Sequence, residues 1–440
     1  MSGWQIVRGD PYLSHVPNIS STGYNSWHTC NRHYYFQDIL GIVLVREEGA
    51  RRLGGLFHSG LESWWKARAE YGRPWHSDGD ELRAALDGID ANARHVDTDP
   101  VDVERAKAML IVYHARYSGD GPESVQFSSV YRDKDGDVER WFNLPLLDRN
   151  GREVGGWRLV GKKDAVKRFA DGRIRVVEHK STSNKVNAGS DYWIRLAVDT
   201  QVSMYVDAAQ REGLDCWEAF YDVVRKLGHD RYLATPEAER KLTKGKGCRY
   251  CGGRAGGAQG VARGTGRVPV KVPETARDGT PTGRLVPGEV ACTACEGTGW
   301  SEAPRLDARQ RTEDEPLEDY RARLVSIMEK DPDSFFRQAR VERSRAQLLD
   351  MRDDLVTTTG LISSMVELAR RETGGNLSHP DARACFPRNS QTCTDVYGRS
   401  CDYLPVCSGR LENPLDSPLY AIRRRRNAPQ QRLDLAGPPA

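Results

Sequence analysis

No run of apolar residues in this 440-residue chain approaches the roughly 20 needed to span a bilayer. The start, Met1-Ser-Gly-Trp-Gln, lacks the basic-then-apolar pattern of a secretory signal. A cytoplasmic protein without membrane contact is the expectation. An excess of one charge is missing too: 65 Lys and Arg stand against 62 Asp and Glu, a formal balance of +3, so net charge alone argues for no nucleic-acid partner. No Gly-x-x-x-x-Gly-Lys-Ser/Thr loop is present to cradle a nucleoside triphosphate, and no internal repeat covers the chain. What is present in quantity is cysteine. Ten cysteines without an export signal read as metal or cluster ligands rather than as a disulfide framework. The length allows roughly two or three domains.

The middle of the chain carries the most chemistry. Trp157 to Phe169 and Arg173 to His179 are rich in β-branched and aromatic residues, and Asp171-Gly172 between them is a tight-turn signal. This hairpin sets Asp164 opposite Glu178, and Lys180, two residues on, shares a strand face with Glu178. Two carboxylates and an ammonium brought together suit metal-assisted phosphodiester cleavage. Mg²⁺ or Mn²⁺ takes carboxylate oxygens, and a lysine orients water or offsets developing charge. An exposed hairpin with scattered charges is the plain alternative for an isolated Glu-x-Lys. Further strands are expected over Val125–Arg132, Val138–Leu146 and Trp217–Val224. Helices are expected near Ser20 to Thr22, at Gly54–Trp65, over residues 77–118, and over Trp193–Ala209, Pro316–Glu329 and about Arg340–Thr373. Strands flanked by helices on both sequence sides predict an α/β core with a mixed central sheet.

The cysteines fall into groups. Cys248-x-x-Cys251 and Cys292-x-x-Cys295 are two knuckles of the kind that hold structural Zn²⁺ tetrahedrally. The second, followed by Glu-Gly-Thr-Gly, is similar to the unit of DnaJ-type zinc modules. They sit in a Gly-, Arg- and Pro-rich insertion, which reads as a zinc-stabilised loop with basic residues free to grip DNA backbone or a partner protein. Cys30 with Cys393, Cys401 and Cys407 is a second set of four thiolates, suited to a 4Fe-4S cluster or to zinc. Cys385 is an alternative to Cys393, and Cys216 reads as a buried apolar thiol. Arg340, Arg343 and Arg345, and Arg423 to Arg426, are basic clusters able to follow phosphates or to stand as solvated faces.

Taken together, these residues resemble the RecB-like branch of the PD-(D/E)xK nuclease superfamily, in its iron-sulfur subgroup of AddB-like, CRISPR-associated and phage single-domain nucleases. The resemblance covers about residues 20–410 apart from the insertion. Gly54-x-x-x-His58-x-x-Leu61-Glu62 resembles the first motif, Gly161-Lys-Lys-Asp164 the second, Glu178-His-Lys180 the third, and Gln201-x-x-x-Tyr205 the helix that follows. His179 and Lys162-Lys163 depart from the usual pattern. The resemblance implies that His58, Asp164 and Glu178 hold the catalytic metal, that Lys180 assists catalysis, and that Gln201 and Tyr205 contact DNA or support the site. It also implies an iron-sulfur cluster on Cys30, Cys393, Cys401 and Cys407, closing the chain like a clasp.

The expected organisation is a restriction-endonuclease-like core beginning at 20–243, a zinc-knuckle insertion at 244–300, helical completion with the cysteine clasp at 301–410, and a disordered basic tail at 411–440. The expected function is a metal-dependent exonuclease acting on DNA ends or single strands in recombination, repair or phage replication, beside a helicase or recombination partner. A structure-specific endonuclease and a non-catalytic DNA-binding or assembly module of the same fold are the alternatives.

Overall fold

The computed structural model describes residues 17–45, 50–70, 80–95, 98–118, 127–131, 136–187, 189–254, 261–307, 310–394, 400–424 and 434–435. They fall into two compact units, one of Met1–His229 with Arg321–Ala440 and one of Asp230–Tyr320.

In the first unit, helix α1 (Ser21–Thr29) begins at Ser20, whose hydroxyl accepts the Gly23 N–H and so satisfies a donor the helix start leaves open. Helices α2 (Ala50–Glu70), α3 (Asp80–His95) and α4 (Pro100–Tyr117) pack on one another. The span 77–118 predicted as helical is divided between α3 and α4. Asp99 caps α4 and Pro100 fills its first turn, where a missing N–H costs nothing. On α2, Leu61, Trp64 and Trp65 are fully buried, one apolar stripe at helical spacing.

Strands β1 (Val138–Leu147), β2 (Glu153–Phe169) and β3 (Ile174–Thr182) form an antiparallel meander. Its second turn is the predicted one, with Gly172 at φ +80°. From β3 the chain crosses through α5 (Asp191–Leu196) and α6 (Thr200–Arg211) to β4 (Cys216–Arg225), which lies parallel to β3. Strand β5 (Phe336–Glu342) closes this side antiparallel to β4. The sheet order is Asn18–Ile19, β2, β3, β4, β5, with β1 and Phe127–Ser128 also on β2. This is the expected mixed sheet with helices on its flanks. The helix expected over Trp193–Ala209 breaks at Asp199, whose carboxylate accepts the Gln201 N–H and starts a new helix.

Helix α7 (Arg345–Glu372) opens with a capping box, Ser344 and Gln347 each bonding the other's backbone N–H. Two readings of the basic run before it are corrected. Arg340 lies in β5 rather than in a helix. Arg343 is buried and donates to the Ser203 hydroxyl and to the Leu196 and Asp199 carbonyls, so it pins α5 to α6 and has no face left for phosphate.

The two sequence ends of this unit are stitched together. Tyr35 donates to the Leu377 carbonyl, Arg32 to that of Phe386, and Tyr403 to that of Ile42. Ile42–Leu44 pairs antiparallel with Tyr420–Arg424. The tail expected to be disordered from 411 onward is therefore folded to 424. Tyr420, 6% exposed, contributes apolar area that a basic run conceals from composition. Arg425 and Arg426 lie outside the described residues.

The second unit begins and ends beyond the 244–300 read from composition. Its outer segments run antiparallel: the Thr235 N–H donates to the Arg311 carbonyl and the Thr243 N–H to that of Arg305, and Lys246–Gly247 pairs with Trp300–Glu302. These segments have ordinary composition, so only the Gly- and Pro-rich part between them stands out in sequence. Arg267–Thr275 and Pro281–Ala291 form a two-stranded ribbon rising from the knuckles.

Candidate active site and cysteine centres

Hydrogen bonding between β2 and β3 in the ladder runs from Arg168↔Ile174 to Ala165↔Val177. One step further along this register come Asp164 and Glu178, where the strands cease to pair. The His179 N–H donates instead to Asp164 Oδ2 at 2.8 Å, which fixes one oxygen of that carboxylate. Glu178 is 2% exposed. Its Oε1 lies 2.8 Å from Lys180 Nζ, and its Oε2 is buried with no hydrogen-bond partner. Burial, then the charge of Asp164, pushes the Glu178 carboxyl up to about 8. An orphaned buried oxygen beside a second carboxylate calls for a cation.

Lys180 is held on three sides. Its Nζ donates to Gln201 Oε1 at 2.5 Å, meets Glu178, and stands 3.7 Å from Asp199 Oδ2. Burial opposes its charge, but Glu178 and Asp199 outweigh that and raise its pKa. The ammonium stays protonated at neutral pH. Gln201 Nε2 in turn donates to the Tyr205 hydroxyl at 3.0 Å, so the two α6 residues form one chain of support. Tyr205, 6% exposed, packs edge-on against Phe142. Gly161 makes this possible, since a Cβ there would meet Phe142 at 2.6 Å and Tyr205 at 3.3 Å.

His58, on α2, is lowered to about 4, first by burial and against the pull of Asp164, with His179, Lys180 and Lys226 adding to the fall. It is therefore neutral at pH 7, the form in which imidazole ligates metal. Gly54, one turn earlier, lets α2 approach β3: a Cβ there would meet Ser181 Oγ at 3.0 Å and Lys226 Nζ at 3.2 Å. The structure thus brings His58, Asp164, Glu178, Lys180, Gln201 and Tyr205 into one neighbourhood.

Three features here escape sequence reasoning. Asp199 both caps α6 and faces Lys180; its position just before Thr200-Gln201 is a capping signal that carries no hint of the lysine. Lys226 approaches His58 from the end of β4, with no motif to mark it. Behind the site, the His179 ring points away from Lys180, as strand alternation requires. Its Nδ1 bonds Asp222 Oδ2 at 3.0 Å, and that carboxylate also accepts from the Tyr113 hydroxyl at 2.5 Å and from Gln338 at 3.1 Å. Burial works against charge on His179, but Asp222 outweighs it and raises the pKa. The histidine that departs from the usual motif is thus the head of a buried network bracing β3.

Cys248, Cys251, Cys292 and Cys295 are all buried, and their sulfurs lie within 4.8 Å of one another, a set able to hold a metal. Two halves of this centre repeat each other. The Thr265 hydroxyl bonds the Cys251 and Arg267 carbonyls, and the Thr298 hydroxyl those of Cys295 and Trp300. Gly264-Thr-Gly266 thus does for the first knuckle what Gly297-Thr-Gly299 does for the second, although an insertion hides the match in sequence. A Cβ at Gly264 would stand 2.6 Å from Cys251 Sγ. Burial raises the Cys295 thiol, but the Gly299 N–H and neighbouring thiols hold it down, to about 7.

Cys30, Cys393, Cys401 and Cys407 are not gathered as tightly: among the described residues the Cys248 set is the one group whose ligand atoms lie close enough together to hold a metal. The Cys401 N–H donates to the Cys393 carbonyl at 2.8 Å, and Cys30 Sγ accepts the Asn389 N–H. The Cys407 thiol is raised by burial and feels Arg32, Cys30 and Cys393, while Cys401 feels Cys407 and Cys30. Cys385 instead neighbours Tyr35. Cys216 is fully buried, and burial pushes its thiol up to about 11.

Among the described residues no helix is long and apolar enough to cross a membrane. No curated protein matches the chain. The family model of the PD-(D/E)XK nuclease superfamily matches residues 18–243, more than half the chain and the stretch that holds His58, Asp164, Glu178, Lys180, Gln201 and Tyr205. With the mixed sheet and this carboxylate–lysine arrangement in place, the chain belongs to the PD-(D/E)XK nuclease superfamily, whose members cleave phosphodiesters with divalent metals.

Proposed function

We propose that the chain is a Mg²⁺- or Mn²⁺-dependent DNA exonuclease of the RecB-like kind, acting on ends or single strands. The observation that carries the metal-dependent reading is the buried, unpartnered Oε2 of Glu178 beside Asp164. His58, Asp164 and Glu178 would hold the ion. When bound, it supplies polarisation of the phosphoryl oxygen and a more acidic water.

The protein's own groups do the rest. Lys180, charged and anchored by Glu178 and Gln201, offsets negative charge on the phosphate or orients the attacking water. Burial opposes that charge, but the charges of Glu178 and Asp199 raise its pKa, which favours the charged form. Tyr205, buried beneath Gln201, supports Lys180 rather than touching DNA. Preference for ends rests on the likeness of the motif order to RecB-like nucleases. The same likeness supports work in recombination, repair or phage replication beside a helicase. Cys30, Cys393, Cys401 and Cys407 would hold a 4Fe-4S cluster, and Cys248, Cys251, Cys292 and Cys295 a structural Zn²⁺.

The test is cleavage of labelled linear and circular DNA, single- and double-stranded, with Mg²⁺ or Mn²⁺. Wild type should degrade linear substrates, and Asp164→Ala and Lys180→Ala should not. Equal cleavage by the variants sinks the site assignment, and cutting of circles turns the reading toward an endonuclease.

A further inference from the structure

The Asp230–Tyr320 unit contains a feature that phosphodiester chemistry does not require. Between Arg240 and Arg284 stand eleven lysines and arginines against two acidic residues, although the chain as a whole is nearly balanced. Arg249, Arg263, Arg267, Lys271, Arg277 and Arg284 are all exposed and form no ion pair among the described residues. The Asp230–Tyr320 unit as a whole carries 15 Lys and Arg against 14 Asp and Glu, so the excess is local to this stretch, and a local patch of unpaired cations attracts an anionic partner.

The cations are also arranged. Along Arg267–Thr275, exposed and half-buried residues alternate, so Arg267 and Lys271 share the exposed face. Val268, from the other face, packs against the four cysteines. Arg267 and Lys271 stand four residues apart on this strand, a spacing of roughly 13 Å in extended chain. At the first knuckle, Tyr250 is 81% exposed beside exposed Arg249, both held between two metal-ligating positions. A rigidly presented aromatic ring next to cations is the combination that binds an unpaired nucleic-acid strand, the cations meeting phosphates and the ring taking a base.

We infer that the cysteine-pinned ribbon is a second DNA-binding site, gripping the sugar–phosphate backbone through Arg249, Arg267 and Lys271 and stacking a base on Tyr250. The choice of DNA as the polyanion rests on the nuclease reading; the site itself stands on charge and exposure. Its contacts are to phosphate and to a base face, so it holds strands without reading their sequence.

The experiment measures binding of the full chain to a labelled 30-nucleotide oligothymidine and to a duplex by fluorescence anisotropy, without added divalent cation, over a range of salt. Arg249→Gln/Arg267→Gln/Lys271→Gln should weaken binding at least tenfold and reduce the slope of log Kd against log salt by about 2 to 3. Zinc content and melting temperature should stay at wild-type values. Tyr250→Ala should weaken single-strand binding roughly tenfold while Tyr250→Phe does not. A triple variant that binds as wild type overturns the site, and Tyr250→Ala equal to Tyr250→Phe overturns the stacking role. A wild type that binds with this salt slope yet cleaves nothing would sink the nuclease reading alone. One that cleaves while binding ignores the three substitutions sinks this one alone.

Discussion

At the scale of single residues, the environment behind the site decides more than the motif does. His179 occupies a position between Glu178 and Lys180 where an apolar side chain would serve a buried strand. It is retained in a chain of contacts through Asp222 to Tyr113 and Gln338. Removing the ring leaves a 1%-exposed carboxylate short of its ionisable partner. His179→Leu is expected to cost roughly 3–5 kcal/mol in urea unfolding. His179→Leu/Asp222→Leu should recover part of that loss, because removing both partners strands no charge. A double variant no more stable than the single one would show that the network contributes little. A second expectation concerns Tyr205→Phe. It removes the hydroxyl that accepts from Gln201 and frees the amide that anchors Lys180. Single-turnover cleavage should fall severalfold for a stability change of about 1 kcal/mol, while substrate binding is unchanged. A rise in Kd with an unchanged rate would instead give Tyr205 a direct DNA contact.

At the scale of elements, the sequence is most legible where chemistry and periodicity coincide. The β2–β3 hairpin, its turn, and the nearness of Asp164 to Glu178 one step beyond the ladder follow from alternation and one Asp-Gly step. The helix face of Gln201 and Tyr205 follows from a spacing of four. The break between α5 and α6 is hidden because Asp199 acts through its conformation and side chain at once, and a helical pattern runs across it. Arg343 looks like a surface charge until three acceptors close around it. The β2–β3 turn also makes a pH-dependent contribution. Hydrogen bonds from Arg175 lower the Asp171 carboxyl; burial raises Glu218, but Arg173 and Arg175 outweigh it and lower that group too. Carboxylates depressed in the folded state stabilise it above their unfolded values and lose that contribution as pH falls through their folded ones. Stability should therefore decline below about pH 4. Asp171→Asn/Glu218→Gln should flatten this acid limb in melting curves and lower stability near neutrality. An unchanged limb would place the acid sensitivity elsewhere.

At the scale of the whole molecule, the two proposed cysteine sets would play different structural parts, and metal content tests them separately. The proposed Cys30 set would join early and late segments of the first unit, which are already tied by Tyr35, Arg32, Tyr403 and the Ile42–Leu44 strand. The Cys248 group can hold a metal in a unit whose described residues show little apolar core around it beyond the cysteines and Val268, so on the proposed reading metal binding and folding would be one process there. Protein purified without oxygen should carry iron and zinc together. Cys393→Ser should lose iron and keep zinc, becoming sensitive to proteolysis at its terminal segments while the backbone bonds hold the core. Cys292→Ser should lose zinc and keep iron, with cleavage by protease confined to the ribbon unit. Cys385→Ser, whose sulfur neighbours Tyr35, should lose neither. Iron that disappears with Cys385→Ser and survives Cys393→Ser would reassign the fourth ligand, and zinc in both centres would make the clasp a second tetrahedral site in place of a cluster.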